Sequence, residues 1–255
     1  MPGGSPDTTS VPVLTGERTW PGIPEETYWF TRHLACYRWA AAELGSGLDD
    51  YSVILDAGSG EGYGCRVLSE LACDRIVGTD LDPSTVLHLA TRYPGIAGVV
   101  ANLVALPYRD GAFGAAVSFQ VLEHMWDPRT YLRELHRCSS GPIVLSTPNR
   151  PVHSPDLRSG EKPTNPFHVR EFDIDELRQL LTSAVPERSA SLFGLRHGDR
   201  ISAWESENGS LPQLLMSPAI PDRAAEFAAH ARVDDFEVVA IEDDTSGVLD
   251  LIATW

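Results

Sequence analysis

The stretch Val53-Ile54-Leu55-Asp56-Ala57-Gly58-Ser59-Gly60-Glu61-Gly62-Tyr63-Gly64 constrains the fold of this chain more than any other. An apolar run ends in an acid, a glycine-spaced turn follows, and an amphipathic stretch then runs from Arg66 to Leu71. That order reads as strand, tight turn, helix. Glycine is needed where the backbone takes positive φ, and where a ligand must approach main-chain N–H groups without a Cβ in the way. The start of the following helix presents unpaired N–H groups. The segment therefore predicts a nucleotide-type binding turn at the carboxyl end of a strand.

The next strand, Arg75 to Thr79, ends at Asp80, with Leu81-Asp82-Pro83 behind it. An acid about 20 residues past the glycines is placed to accept hydrogen bonds from ribose hydroxyls. Adenosine is thus the expected ligand. A dinucleotide is disfavoured, because Gly58-x-Gly60-x-Gly62 departs from G-x-G-x-x-G and follows Asp56 directly. Without a pyrophosphate to cradle, an acid at the strand end is tolerable and is expected to bond the loop amides.

A length of 255 residues suits one domain with trimmings. Lys and Arg total 20 against 36 Asp and Glu, a net charge of −16. That balance argues against nucleic acid and anionic membrane as partners, since either needs a basic face. Cys36, Cys65, Cys73 and Cys138 form no Cys-x-x-Cys pair, which predicts reduced, mostly buried thiols. The N-terminus carries neither the basic region nor the apolar stretch of a secretion signal, and no apolar run approaches membrane length. The expected location is the cytosol.

Residues 1–48 are expected to form a flexible N-terminus and a lid helix, and residues 49–255 the binding domain. The helix starts at Pro24-Glu25-Glu26 with acids in its first turn. It carries Trp29, His33, Cys36, Ala40 and Leu44 at helical spacing, and stops at Gly45-Ser46-Gly47. Strands and helices then alternate through Asn149, implying a parallel sheet flanked by helices. Residues 150–172 have no apolar period and hold Pro151, Pro155, Pro163 and Pro166. A long loop at the carboxyl end of a strand predicts acceptor binding. A helix follows from Asp173, a plausible cap, to Leu181. Ser191–Leu195 reads as a sixth strand and 197–222 as a second irregular insertion. Asp222–Ala231 reads as a short helix. Phe236–Ala240 and Leu249–Ala253 read as late strands.

Asp56-x-Gly58-x-Gly60-x-Gly62 followed by Asp80 resembles the S-adenosylmethionine (SAM) site of class I methyltransferases. The resemblance continues in order through Val99–Leu103, Phe113–His124 and Ile143–Asn149. It implies an α/β, doubly wound, mostly parallel seven-stranded sheet with SAM as cofactor. It also implies that Asp56, Gly58, Ser59, Gly60 and Gly62 hold the methionyl part. Asp80 would hold the ribose, and Asn102 and Leu103 the adenine, with Leu81 and Gln120 completing the set. The chain departs from the family pattern at Asn102, where an Asp is usual, and at Gly114, where the family has Asp after Phe. An amide oxygen at Asn102 can still accept from an adenine amino group.

Several further segments resemble a narrower actinobacterial group, similar to the mycofactocin oligosaccharide and methylglucose polysaccharide methyltransferases. They are Glu17–Pro24, Tyr28-Trp29-Phe30-x-Arg32-His33, Gln120–His124, Ser146–Arg150, Asn165-Pro166-Phe167-His168-x-Arg170-Glu171 and Leu249–Ala253. This resemblance implies O-methylation of a hydroxyl on a saccharide or glycosylated small molecule.

A sugar hydroxyl needs a proton acceptor within hydrogen-bond reach. His124 follows the fourth strand at the lip of the cleft; it reads equally as a base and as a main-chain-bonding residue of a helix start. His168 lies in the acceptor loop beside charged partners and is the favoured base. His153 has no neighbours in sequence that would tune it, and His197 reads as a surface-loop residue. Arg32 suits the methionyl carboxylate as a bidentate partner, with Tyr28 covering the same end; a solvated Arg and a core aromatic fit the pattern equally. Trp20, Trp126 and Trp204 offer flat faces for sugar rings, although Trp more often packs. No compact Asp/Glu/His cluster with ligand spacing is visible in the sequence, so no metal is expected. Phenol or nitrogen acceptors, other SAM chemistry and a non-catalytic SAM-binding subunit are the competing readings.

Overall fold

The computed structural model describes residues 19, 21–45, 47–49, 52–163, 165–242 and 244–255. The expectations placed on residues 1–18 and on Trp20 lie outside them. In chain order the elements are α1 (Thr27–Gly45), β1 (Ile54–Ala57), α2 (Tyr63–Leu71), β2 (Ile76–Asp80), α3 (Pro83–Arg92), β3 (Ala97–Val100), β4 (Ala115–Phe119), α4 (Pro128–Cys138) and β5 (Ile143–Pro148). They continue with α5 (Arg150–His153), α6 (Ile174–Ala184), β6 (Ser191–His197), α7 (Asp199–Asn208), α8 (Leu211–Leu215), α9 (Asp222–Ala228), β7 (Phe236–Ala240) and β8 (Val248–Thr254).

The sheet order is β3-β2-β1-β4-β5-β8-β6-β7. β1 to β5 pair in parallel, as alternating strands and helices require. β8 runs antiparallel between β5 and β6, and β7 pairs antiparallel with the outer side of β6. The sheet is therefore eight-stranded rather than seven-stranded. β7 is the additional edge strand, and its half-exposed pattern fits that position.

Neighbouring residues along each strand enter two separate cores. Ile54, Ala115, Val144 and Ile252 pack on the face that carries α1 and α2. Leu55, Ala116, Leu145 and Leu251 pack on the face that carries α4 and α6. Successive side chains of a strand point to opposite faces, and both faces are apolar because helices cover both. The N-terminal helix is part of this core, burying Tyr28, Arg32, Cys36, Tyr37, Ala40 and Leu44.

The segment read as a second irregular insertion is largely helical. α7 buries only Ile201, and α8 begins with Pro at its first turn, so neither advertises an apolar period. The acceptor-loop segment contains the short α5, after which the described residues of 154–172 hold no helix or strand. α6 begins where expected, with Asp173 and Glu176 forming a capping box. No helix among the described residues is long and apolar enough to cross a membrane.

Candidate functional site

The glycine turn follows β1 as its sequence requires. Gly58, Gly60 and Gly62 take φ of 80°, 49° and 85°, values that other residues adopt at a steric cost. The Gly58 and Ser59 amides both donate to the Thr79 carbonyl, at 2.7 and 3.1 Å, which ties the turn to β2. A Cβ at Gly58 would lie 2.3 Å from Val121 Cγ2, whereas one at Gly60 would project into open space. Asp80 ends β2 facing that turn. Its Oδ2 accepts from the Gly60 amide and its Oδ1 from the Asp82 amide, both at 3.0 Å. Each carboxylate oxygen keeps a lone pair for a further donor.

These groups line a cleft of about 1060 Å³ with Leu81, Asn102, Leu103 and Gln120. His124 and His168 line it as well, with Trp126 at 87% exposure. Asn102 is exposed and its Oδ1 accepts from the Val104 amide at 3.1 Å, so the oxygen turns back toward its own loop. Gln120 follows β4 and is the one non-glycine residue at positive φ among those described, at 55°. That rare conformation sets its amide against Ser146 Oγ and Asp250 Oδ1, both at 3.1 Å.

Other expected members sit elsewhere. Asp56 is wholly buried beneath the turn and bonds no loop amide. Its carboxylate accepts from Tyr37 Oη at 3.2 and 3.3 Å and from Cys65 Sγ at 3.2 Å. Burial pushes its carboxyl up to about 7. Ser59 and Gly62 are not among the cleft-lining residues. Gly62 caps α2 and backs onto Leu89, where a Cβ would meet Cγ at 2.7 Å. Tyr28 is fully buried, its hydroxyl 2.7 Å from His197 Nε2. His197 is therefore a core residue and not a surface one; its Nδ1 lies 2.8 Å from Glu205 Oε2. Arg32 is buried, and its guanidinium is forked onto Asp250, with Nε 2.6 Å from Oδ2 and Nη2 bonded to Oδ1. That fork already holds a carboxylate, so Arg32 is not the bidentate partner of another. Trp204 stacks on Phe227 at 4.9 Å and lines neither the cleft nor the cavity that adjoins it.

A second cavity of about 450 Å³ adjoins the cleft, and Gln120, His124, Phe167 and His168 line both. Trp29, Arg32 and His33 supply its wall from α1; Asn165 and Glu171 come from the loop after β5, and His153 from α5. Its His33 and His153 imidazoles are uncharged at neutral pH. Burial pushes His33 down to about 3 and His153 well below the usual histidine range, with Arg32 adding repulsion to both. His153, which looked isolated in sequence, has its Nε2 3.1 Å from Arg32 Nη2. Glu171 Oε2 is buried and accepts no hydrogen bond within the described residues.

Where the two cavities meet, the fold assembles a cluster that the sequence did not disclose. Glu123, His124 and His168 bring one ligand-type atom each to within 4.8 Å of one another. Glu123 is buried, its Oε2 accepting from Thr147 Oγ1 at 3.0 Å, and burial raises its carboxyl. Its carbonyl accepts from the Val169 and Arg170 amides at 2.8 and 3.2 Å, which fastens the acceptor loop to the turn after β4. His168 Nδ1 is 2.8 Å from Glu171 Oε1, and the His124 and His168 rings lie 5.1 Å apart. Glu123 precedes His124 directly, and Asp250 is an acid inside an apolar strand; those were the available signals. Glu171 stood beside His168 in the same motif.

The residues present fit an adenosyl sulfonium. The open side of Gly60 is a cradle that any Cβ would fill, and the Asp80 carboxylate retains acceptor capacity beside it. A model of a methyltransferase domain matches residues 55–141. A probable S-adenosylmethionine-dependent methyltransferase of Mycolicibacterium smegmatis is 38% identical, over 98% of this chain and 98% of that protein. One of Mycobacterium tuberculosis is 36% identical, over 99% of this chain and 92% of its own length. Solved structures share the fold at low identity. An S-adenosylmethionine-dependent methyltransferase from Mesorhizobium loti has a TM-score of 0.53 at 16% identity, covering 86% of this chain and 96% of the other. The [4+2]-cyclase SpnF has a TM-score of 0.53 at 18% identity, covering 92% and 85%.

Proposed function

We propose that this chain, which belongs to the class I S-adenosylmethionine-dependent methyltransferases, methylates a hydroxyl of a saccharide or a glycosylated small molecule. S-adenosylmethionine is its cofactor, and when bound it supplies an electrophilic methyl carbon on a sulfonium. Asp80 is assigned to the ribose hydroxyls, Leu81, Asn102 and Leu103 to the adenine end, and Gly58 and Gly60 to the methionyl end. Gln120 is placed between cofactor and acceptor, held there by Ser146 and Asp250.

The observation that carries the acceptor reading is the second cavity. It joins the cleft at Gln120, His124, Phe167 and His168 and mixes hydrogen-bond donors and acceptors, among them Arg32, Asn165, Glu171 and the neutral imidazoles of His33 and His153. A polyol needs both kinds of partner, and a buried acceptor without one, such as Glu171 Oε2, costs about 1–3 kcal/mol until a donor reaches it. Trp29 adds a ring to the same wall. A phenol pocket would be lined mainly by apolar groups, and the acid-rich chain suits a neutral acceptor better than a phosphorylated one.

His124 and His168 are the groups proposed to activate the hydroxyl. Glu171 accepts from His168 Nδ1–H at 2.8 Å, which leaves the lone pair on Nε2. In an ion-free site that nitrogen takes the hydroxyl proton, and the flanking carboxylate stabilises the resulting imidazolium. Incubation with methyl-labelled cofactor and a panel of glycosides, oligosaccharides and catechols, read by mass spectrometry, tests the acceptor. Label in a saccharide ether is expected; label confined to catechol or amine products overturns the reading. His168→Ala should lower turnover about 100-fold or more, the range of a lost general base, with cofactor affinity unchanged. Wild-type turnover in that variant would remove His168 from the chemistry.

A further inference from the structure

We infer that Glu123, His124 and His168 form a binding site for a divalent first-row transition cation that holds and acidifies the acceptor hydroxyl. Three observations carry it. The first is the donor set: a buried carboxylate and two imidazoles converge within 4.8 Å, and the direct separation of Glu123 Oε1 from His124 Nε2 is 4.0 Å. Metal bonds to such ligands are about 2.1 Å long, so binding would draw the three together by about 1 Å.

The second is the outer support of each ligand. His124 Nδ1 lies 2.9 Å from the Phe167 carbonyl, and His168 Nδ1 lies 2.8 Å from Glu171 Oε1. Both Nδ1 atoms therefore carry the proton and both Nε2 atoms carry the lone pair, the arrangement that orients imidazole toward a metal. Thr147 Oγ1 holds Glu123 Oε2 at 3.0 Å, which leaves Oε1 for the shared point. Asn165 Nδ2, 3.0 Å from His168 Nε2, caps that lone pair and would turn away.

The third is charge. Glu123 is 1% exposed, and no Lys or Arg among the described residues is bonded to its carboxylate. A buried carboxylate is normally paired or coordinates a metal. The three ligands leave coordination positions open toward the junction of the two cavities. The acceptor's hydroxyl oxygen would fill one of these. Its O–H bond then breaks with the electron pair staying on oxygen, and the proton passes to water in the open cleft. The two histidines act as ligands in this state, and the cation does the work assigned to His168 Nε2 in an ion-free site. The inference rests on the reading of this junction as the acceptor site.

The full-length protein, stripped with a chelator, is titrated with Co²⁺ and followed by visible absorption and calorimetry. One equivalent is expected to bind with a ligand-field band. Glu123→Gln, His124→Ala and His168→Ala should each weaken binding roughly tenfold or more, while His136→Ala, at a half-buried histidine of α4 paired with Glu187, should not. Circular dichroism reports the fold of each variant, and His124→Ala, at a half-buried side chain, serves if Glu123→Gln does not fold. No stoichiometric binding, or binding that survives all three substitutions, overturns the site. Saccharide methylation that persists in chelator with no ion bound also overturns it while leaving the acceptor reading intact. Cation binding lost in all three variants without any saccharide product upholds the site and counts against the acceptor reading alone.

Discussion

At the scale of single residues, the cofactor cleft rests on one acid. Asp80 keeps its carboxylate beside the turn by accepting from two main-chain amides. Under the proposed binding mode, Asp80→Ala removes two charge-assisted bonds to the ribose, each contributing about 1.5–3 kcal/mol. Cofactor affinity by calorimetry should fall at least 100-fold with the circular dichroism spectrum unchanged; unchanged affinity would take Asp80 out of the site. The glycine turn and the place of Asp80 beside it were legible because backbone conformation and spacing are both local. Asp56, Tyr28 and Arg32 were not, because partner choice is a three-dimensional fact. Arg32 meets a carboxylate 218 residues away, and Asp56 meets Tyr37 and Cys65 from two different helices. Asp56 also gives a pH signature. Its carboxyl is raised from 3.8 to about 7 by burial, so the folded state holds that proton more tightly than the unfolded chain. The associated stability is complete below the lower value and is lost as pH rises through the upper one. The urea midpoint of the wild type should therefore fall between pH 5 and 8 more steeply than that of Asp56→Asn. Parallel slopes would refute the shift.

At the scale of elements, local signals worked where a cap or a turn fixes a boundary. Asp173 accepts from the Glu176 amide at 2.9 Å while Glu176 accepts from the Asp173 amide at 3.0 Å, and the sequence placed this helix start correctly. Asp173→Ala should lower stability by about 1 kcal/mol, read from the urea midpoint; a variant as stable as wild type would show the cap to be redundant with the Arg150 contact to Glu176. α7 escaped because a helix that buries one residue, Ile201, leaves no 3.6-residue apolar period, and α8, five residues long, is too short to show one. The histidine cluster escaped for a related reason. Its members come from the turn after β4 and from the loop after β5, and only the parallel pairing of those strands brings the two carboxyl ends side by side.

At the scale of the whole molecule, the five parallel strands were legible as alternating apolar runs and helices, and the three later strands were legible as local β patterns, but the order in which those three join the sheet was not. β7 reads as a strand over its observed bounds; its place outside β6, as an eighth strand beyond the expected seven, is a long-range pairing that local pattern does not record. The two ends of the fold are joined by one buried ion pair, Arg32 of α1 with Asp250 of β8. Arg32→Met leaves that carboxylate uncompensated, and breaking a buried pair from one side costs about 3–5 kcal/mol. Arg32→Met with Asp250→Leu should recover most of the loss; equal instability of single and double variants in urea would refute the account. β8 lies between β5 and β6 although it follows both in the chain. During synthesis β6 and β7 emerge while the place beside β5 still awaits its strand, so the antiparallel pair they form has no strand of the parallel sheet to join. Arg32, made far earlier, meanwhile lacks its counter-charge. Translation must pass Asp250 before the two halves can zip together, which makes this interior late arrival the molecule's own checkpoint for completed folding.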